Sequence, residues 1–279
     1  MSVAASPAAW AEPASVELRV VTYNTHGLPS WIAGDAPERR FPEIARRLQG
    51  YDVALLQEDF AHHEPLRAGL PGFVLERGNE SRFRGSLFCA LACDGSGLTF
   101  ATRLPRSALV ELDSVAYLAC SGWVGGANDC LATKGFQHAR LLLPGGLELH
   151  LVNTHLDAGR APADRAARRT QLERLRRHLE RTAAGAALVL GGDLNLDAAD
   201  PRDAALRDEF ARALGLADTG AAPAPGGPWR RLDYLYRRDG AAVLVQVLEA
   251  GEAREFSDGA RPLSDHPALS VRLRVRPVF

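Results

Sequence analysis

Six apolar runs, each followed by polar side chains, constrain the fold of this chain more than any other feature. Runs such as VVTYN, DVALLQE and LVLGGDLN have the length of a strand and carry their polar residues at the C-terminal end. A strand that is buried on both faces reads as a continuous apolar run. In chain order the runs lead to Asn24, Glu58, His155, Asp193 with Asn195, Asp233, and Asp265 with His266. We therefore predict a layered α/β fold in which strand ends present these side chains at one rim.

Length and charge limit the organisation of the chain. Its 279 residues are enough for two small domains or one large one. No linker divides residues 16–279, so we predict one domain there, preceded by a disordered segment at residues 1–15. The 33 basic and 34 acidic residues nearly cancel, which argues against a general polyanion-binding surface. No apolar run approaches the ~20 residues of a membrane span.

Three segments have the spacing of helices. Phe41, Ile44, Ala45 and Leu48 repeat at helical intervals, residues 163–182 carry leucines on one face, and residues 201–214 form the third segment. The arginines of residues 163–182 could bind nucleic acid, but a solvated helix face is the favoured interpretation. Shorter runs between residues 73 and 143, separated by glycine-bearing turns, indicate antiparallel sheet.

Lysine and cysteine usage single out one stretch of the chain. Lys134 is the only lysine among the 33 basic residues, and the strong bias towards arginine, with much alanine and glycine, indicates a GC-rich bacterial coding sequence. A compact ammonium group cannot be replaced by the broader arginine fork in a tight site, so a function for Lys134 is favoured over chance survival.

Cys120 and Cys130 flank a glycine-rich loop that a disulfide could close, although buried free thiols are the alternative. A disulfide would place the protein in an oxidising compartment.

The polar residues after the strands are those that phosphodiester hydrolysis requires. Glu58 is the natural carboxylate ligand for Mg²⁺, and Asn24 can add an amide oxygen or hold the phosphate. His266 is the candidate general base, with Asp233 as the carboxylate that orients it. Asp193 and Asn195, two apart on an extended segment, would point the same way and position water and phosphate.

The ordered set resembles the endonuclease/exonuclease/phosphatase superfamily over nearly the whole chain. This resemblance implies a four-layered α/β/β/α sandwich of two packed mixed sheets flanked by helices, with a magnesium-dependent site between the sheets. It also implies that Glu58 holds the metal, that His266 is the base and that His155 assists the leaving group or the phosphorane charge. Asp265 would lie near the metal or support the network. Mg²⁺ is the implied cofactor, with Mn²⁺ or Co²⁺ as substitutes.

Two motifs resemble the neutral sphingomyelinase branch of that superfamily. Asp129 and Lys134, in NDCLATKGF, look like its aspartate–lysine pair, in which the lysine faces the phosphate, and YNTHGLP resembles its first motif. The aromatic hairpin that secreted bacterial sphingomyelinases carry before Ser-Asp-His is missing from AGEAREFSDGARPLSDH. Trp31 and Trp123 could enter a bilayer interface or pack against the protein.

The leading hypothesis is a magnesium-dependent phosphodiesterase of the sphingomyelinase C type, cleaving sphingomyelin or a related phospholipid to ceramide and phosphocholine. The first alternative is a deoxyribonuclease-like endonuclease of the same fold, and the second is a non-catalytic binding protein. We expect a secreted or periplasmic bacterial monomer that meets its phospholipid at a membrane surface and has no stable nucleic-acid partner.

Overall fold

The computed structural model describes residues 15–28, 30, 34–80, 95–122, 129–259 and 261–278. The predicted disordered segment up to residue 14, both candidate membrane-contacting tryptophans (Trp31 and Trp123), and the cysteines Cys89 and Cys93 lie outside these residues.

The described residues form fourteen strands and four α-helices. The strands are β1 (Val16–Asn24), β2 (Val53–Gln57), β3 (Val74–Arg77), β4 (Thr99–Thr102), β5 (Leu109–Ala116), β6 (Gly135–Leu143), β7 (Leu147–His155), β8 (Leu188–Asp193), β9 (Ala217–Asp218), β10 (Asp233–Arg238), β11 (Val243–Glu252), β12 (Ser257–Asp258), β13 (Arg261–Pro262) and β14 (Leu269–Pro277). The helices are α1 (Pro37–Leu48), α2 (His63–Ala68), α3 (Pro162–Thr182) and α4 (Pro201–Ala213). Short 3₁₀ helices span Phe60–His62, Arg106–Ala108, Asp129–Leu131 and Pro144–Gly146. The three helices predicted from the sequence are therefore confirmed as α1, α3 and α4.

Twelve of the strands form two six-stranded sheets. The first has the order β11-β14-β1-β2-β4-β3 and the second the order β5-β6-β7-β8-β10-β9, while β12 and β13 form a separate hairpin. Both sheets are mixed, because β1 runs parallel to β2 and β7 parallel to β8 while their other neighbours are antiparallel. The predicted antiparallel strands before residue 143 divide between the sheets, since β3 and β4 join the first and β5 and β6 the second.

Three apolar cores hold four layers together. The first lies between the sheets and includes Leu55 of β2 and Leu151 of β7. The second packs α3 and α4 on the second sheet, and the third packs α1 and α2 on the first sheet. Helical spacing places the apolar residues of α1, α3 and α4 on one face, so each helix buries that face against a sheet. The predicted α/β/β/α sandwich is confirmed.

Backbone conformation corrects two local expectations. Asp193 and Asn195 do not share an extended segment, because Asn195 has a left-handed φ of 50°. The backbone N–H of Asn195 donates to Asp193 Oδ1 at 2.9 Å. Asp233 begins β10 rather than ending a strand, and it reaches the same rim because β10 runs antiparallel to β8. Glu58 follows β2 with a left-handed φ of 57°. Non-glycine residues in this region are uncommon and cluster at functional sites.

Cys120 and Cys130 form a disulfide with a Cα–Cα distance of 5.2 Å. Of the two alternatives for this pair, the disulfide is therefore the one found. Among the described residues, no helix is long and apolar enough to cross a membrane.

Candidate active site

Neighbouring strands of the second sheet bring three site residues side by side. His155 at the end of β7 is the register partner of Asp193 at the end of β8, and Asp193 is the partner of Asp233 at the start of β10. All three side chains are buried. His155 Nε2 lies 3.4 Å from Asp193 Oδ2.

The first sheet contributes Asn24 and Glu58 from the ends of its parallel pair, β1 and β2. Asn24 Nδ2 donates to Asp193 Oδ2 at 3.1 Å, so this contact joins the two sheets at the rim. Glu58 Oε1 lies 3.8 Å from His155 Nε2. The site is therefore assembled across the interface between the sheets.

The loop before β14 delivers His266 next to Asp233. His266 Nδ1 and Asp233 Oδ2 are 2.8 Å apart, and His266 Nε2 lies 3.7 Å from Asp193 Oδ2. Burial by itself lowers the pKa of His266, but the charges of Asp233 and Asp193 outweigh burial and hold this pKa well above its usual value. Ser264 fixes the loop by donating its hydroxyl to the carbonyl of Asn24 at 2.7 Å.

Lys134 enters the site from the turn before β6. Its Nζ lies 2.6 Å from Asp129 Oδ1 and 3.1 Å from His155 Nε2, and it donates to the carbonyl of Leu156 at 2.9 Å. Burial opposes the charged ammonium, yet Asp129 and Glu58 raise the pKa of Lys134 above its usual value. Burial, assisted by the Lys134 charge, lowers the pKa of His155 well below its usual value. At neutral pH the pair is thus a charged lysine donating to a neutral imidazole.

The donor set fits a divalent cation. Burial raises the pKa of Glu58, although Lys134 and His266 oppose this shift. Burial also raises the pKa of Asp193 to about 6, against the opposing charge of His266. Asp265 approaches from the other side, with Oδ1 3.3 Å from His26 Nδ1, which in turn lies 3.9 Å from Glu58 Oε2. Oxygen ligands of this kind suit Mg²⁺.

A tighter cluster, formed by Asp193, Asp233 and His266, also has the spacing of metal ligands. We assign this cluster to proton transfer instead, because the imidazole already bonds to Asp233 and Mg²⁺ prefers oxygen ligands. The oxygen donors around Glu58 remain the better metal ligands.

Comparisons with known proteins decide the family. Residues 21–266 match the model of the Endonuclease/Exonuclease/phosphatase family. The chain belongs to this family. A curated sphingomyelinase of Mycobacterium bovis is 29% identical over 276 residues, covering 91% of this chain and 52% of that protein. The chain thus spans about half the length of the curated relatives that it matches.

Solved structures share the fold. Sphingomyelinase C from Streptomyces griseocarneus has a TM-score of 0.68 and 23% identity, covering 92% of this chain and 99% of its own. A Staphylococcus aureus beta toxin mutant with bound magnesium ions has a TM-score of 0.67 and 15% identity, covering 92% and 99%. The resemblance to the family and to its sphingomyelinase branch is thereby confirmed.

The structure brings all ten predicted site residues together: Asn24, Glu58, Asp129, Lys134, His155, Asp193, Asn195, Asp233, Asp265 and His266. Asn195 joins through its side-chain amide, which donates to the carbonyl of Leu156 at 3.0 Å and lies 3.4 Å from His155 Nε2.

Sequence analysis missed two residues of the site. His26 lies between Glu58 and Asp265, and the signal for it was its position two residues after Asn24 in the quoted YNTHGLP motif. Arg40 of α1 donates to the carbonyls of Thr25, His26 and Leu263, and so it ties the first loop of the site to the last. No sequence signal separates Arg40 from the other arginines.

Proposed function

We propose that the protein is a magnesium-dependent phosphodiesterase of the sphingomyelinase C type, acting through a single catalytic domain at residues 16–279. Its substrate would be sphingomyelin or a related phospholipid, and its products ceramide and phosphocholine. Family membership and the curated sphingomyelinase relatives support a phosphodiester hydrolase.

The observation that carries the choice of branch is the placement of Lys134. The only lysine of the chain is buried in the site, paired with Asp129 at 2.6 Å and within 3.1 Å of His155. Removing an ammonium group from water is costly unless a charged partner compensates it. A buried pair held against the catalytic histidine therefore supports a role towards the phosphoryl group.

In the proposed reaction, water attacks the phosphorus atom in line with the leaving oxygen, and each site residue has a separate role. Neutral His266 takes the proton of the attacking water, while its Nδ1–H stays bonded to Asp233 and keeps Nε2 as the acceptor. The new bond from water oxygen to phosphorus forms as the bond from phosphorus to the ceramide oxygen breaks. Lys134 and Asn195 stabilise the phosphoryl charge. The departing alkoxide takes a proton from the Lys134–His155 pair, which recovers one from solvent.

Glu58, Asn24 and Asp265 are the residues that would hold Mg²⁺, with Mn²⁺ or Co²⁺ as substitutes. A divalent cation bound there neutralises charge on the phosphoryl oxygens. Asp193 contributes by accepting from Asn24 Nδ2, which orients the amide oxygen of Asn24 within the site.

The pairing of charges bears on the nuclease alternative, and the disulfide bears on the location of the protein. Five of the seven arginines of α3 form ion pairs, namely Arg165, Arg168, Arg169, Arg176 and Arg177. A nuclease draws on many unpaired cationic contacts to the backbone, so the nuclease alternative is disfavoured. The Cys120–Cys130 disulfide supports a secreted or periplasmic bacterial protein. We further propose a monomer that meets its phospholipid at a membrane surface.

The decisive experiment compares phosphocholine release from sphingomyelin in detergent micelles with plasmid nicking, both with Mg²⁺ and with EDTA. We expect lipid turnover that disappears in EDTA and is lost in Lys134→Met and His266→Ala. Nicking without lipid turnover would move the protein to the nuclease branch. No metal-dependent turnover of either substrate would instead favour a binding protein.

A further inference from the structure

A second cluster of metal-ligating side chains lies on the far face of the second sheet, beneath α3. His138 of β6 and His150 of β7 are buried there, and His178 of α3 faces them. Asp113 of β5 is the register partner of His138. His150 precedes the active-site residue His155 by five residues on β7, a separation of about 17 Å. The cluster is therefore distinct from the catalytic centre.

A relay of hydrogen bonds determines which nitrogen of His138 carries its proton. Glu148 Oε1 can only accept, so His150 Nε2, 3.1 Å away, carries a proton. In neutral His150 the other nitrogen, Nδ1, is then an acceptor, and His138 Nε2 donates to it at 2.7 Å. His138 Nδ1 is consequently the acceptor in its contact with His178 Nε2, and a metal ion could replace the proton that the two nitrogens share. Histidine ligands of metals are oriented in the same way, by donating the second N–H to a carboxylate or other acceptor.

The lone pair of His138 Nδ1 is directed at a second imidazole. His138 Nδ1 and His178 Nε2 are 3.0 Å apart. Two nitrogens that each lie about 2.0–2.1 Å from one tetrahedral zinc ion are separated by about 3.3–3.4 Å, so the two rings would need to move apart by only a few tenths of an ångström. Asp113 completes the group, because its carboxylate and one ligand atom from each histidine all lie within 4.8 Å of one another.

We propose that Asp113, His138 and His178 form a transition-metal site of the zinc class that ties α3 to β5 and β6. Two imidazoles and a carboxylate supply three ligands, and water can take the fourth position. Water reaches His178 through a surface cavity of about 510 Å³ that this side chain lines.

The surroundings of the cluster select the type of ion. Arg174, Arg177 and Arg181 line the same cavity beside one carboxylate, Glu173, so a cation there must be held by its bonds to the ligands rather than by the surrounding charge. Imidazole nitrogen suits zinc, copper and nickel, whereas Mg²⁺ and Ca²⁺ prefer oxygen. The site should therefore bind Zn²⁺ in the presence of excess Mg²⁺, which distinguishes it from the catalytic centre.

Equilibrium dialysis against Zn²⁺ in millimolar Mg²⁺ tests the proposal, using the untagged 279-residue protein. A Cys89→Ser/Cys93→Ser background removes the two cysteines other than Cys120 and Cys130 as alternative zinc ligands. We expect one Zn²⁺ per chain, lost in His178→Gln and in Asp113→Asn. Glu173→Gln is the matched control, because it removes a carboxylate from the same cavity without removing a ligand, and it should bind as the parent does. Glu148→Gln, at the end of the relay, should weaken binding roughly 10–100-fold.

A spectroscopic measurement keeps the test independent of the variants' folding. Co²⁺ bound to the parent protein in excess Mg²⁺ should show the visible absorption of a four-coordinate nitrogen and oxygen site, and Zn²⁺ should displace it. Unchanged Zn²⁺ binding in folded His178→Gln, or no zinc-displaceable Co²⁺ spectrum in the parent, would show that the three imidazoles form only a hydrogen-bonded chain.

Discussion

Lys134 Nζ lies 3.1 Å from His155 Nε2, and it bridges that imidazole to Asp129. All three side chains are buried, so the charge of Lys134 acts on His155 in surroundings that screen it weakly. This contact joins the residue pair that resembles sphingomyelinases to the cluster of histidines and carboxylates at the strand ends.

If Lys134 holds a preorganised charge towards the phosphoryl group, as proposed, we expect Lys134→Met to lower kcat/KM for sphingomyelin by roughly 10²–10³-fold. Lys134→Arg should not restore activity, since the broader guanidinium does not fit the same contacts. Steady-state phosphocholine release measures both. Activity within a few-fold of wild type in Lys134→Met would contradict the proposed role.

Stability must be separated from catalysis in that variant. Removing one partner of a buried ion pair costs about 3–5 kcal/mol, because the other charge is left uncompensated. Asp129→Asn/Lys134→Met should recover much of the free energy of unfolding in urea titrations while remaining inactive. A double variant that regained activity would show that Lys134 acts only on folding.

The pH dependence of catalysis should follow His266. Its carboxylate neighbours hold its pKa well above the usual value, and a general base must be neutral, so kcat/KM should rise with pH along the acid limb. In Asp233→Asn the pKa falls because a negative partner is removed, and the limb should shift to lower pH. Its rate should also fall by roughly 10²–10⁴-fold, because the imidazole is no longer oriented. If the apparent pKa of this rise in kcat/KM in Asp233→Asn equalled or exceeded the wild-type value, His266 would not be the group that titrates.

Acid should destabilise the metal-free protein through His138. Burial, with the charges of His150 and His178, lowers the pKa of His138 to about 3, whereas the unfolded value is about 6.5. Between these two pH values only the unfolded chain binds the proton at His138. The free energy of unfolding therefore has its full value above pH 6.5 and decreases as the pH falls below it. The slope contributed by this group approaches 1.4 kcal/mol per pH unit, about the maximum for one proton. Urea unfolding at several pH values in EDTA measures it, and a slope in His138→Gln equal to that of wild type would refute it.

Reduction of the disulfide should loosen the loop that carries Asp129. Cys120 and Cys130 are ten residues apart, and losing a crosslink of this loop length costs about 2–3 kcal/mol. We expect dithiothreitol to lower both the unfolding free energy and the activity of the wild type. Cys120→Ser/Cys130→Ser should already show both losses and respond no further to the reductant. A full response of that variant would place the effect elsewhere in the chain.

Local periodicity in the sequence was enough to predict most elements of the fold. The apolar residues Phe41, Ile44 and Leu48 repeat at helical spacing, and they occupy the buried face of α1 because helix geometry places them on one side. Apolar runs ending in Asn24 and His155 likewise became central strands. These patterns depend only on residues that are close in the chain, so they can be read from the amino-acid sequence without the tertiary structure.

Only the tertiary structure determined which of the site residues contact one another. Asn24 bonds to Asp193 across 169 residues, and Arg40 closes the site by reaching Leu263. Asp233 arrives at the rim from the start of its strand only because β10 pairs antiparallel with β8. The sequence by itself determined which residue types stand at the strand ends. Which of them meet was decided by sheet order and register, because these depend on packing between segments that are distant in the chain.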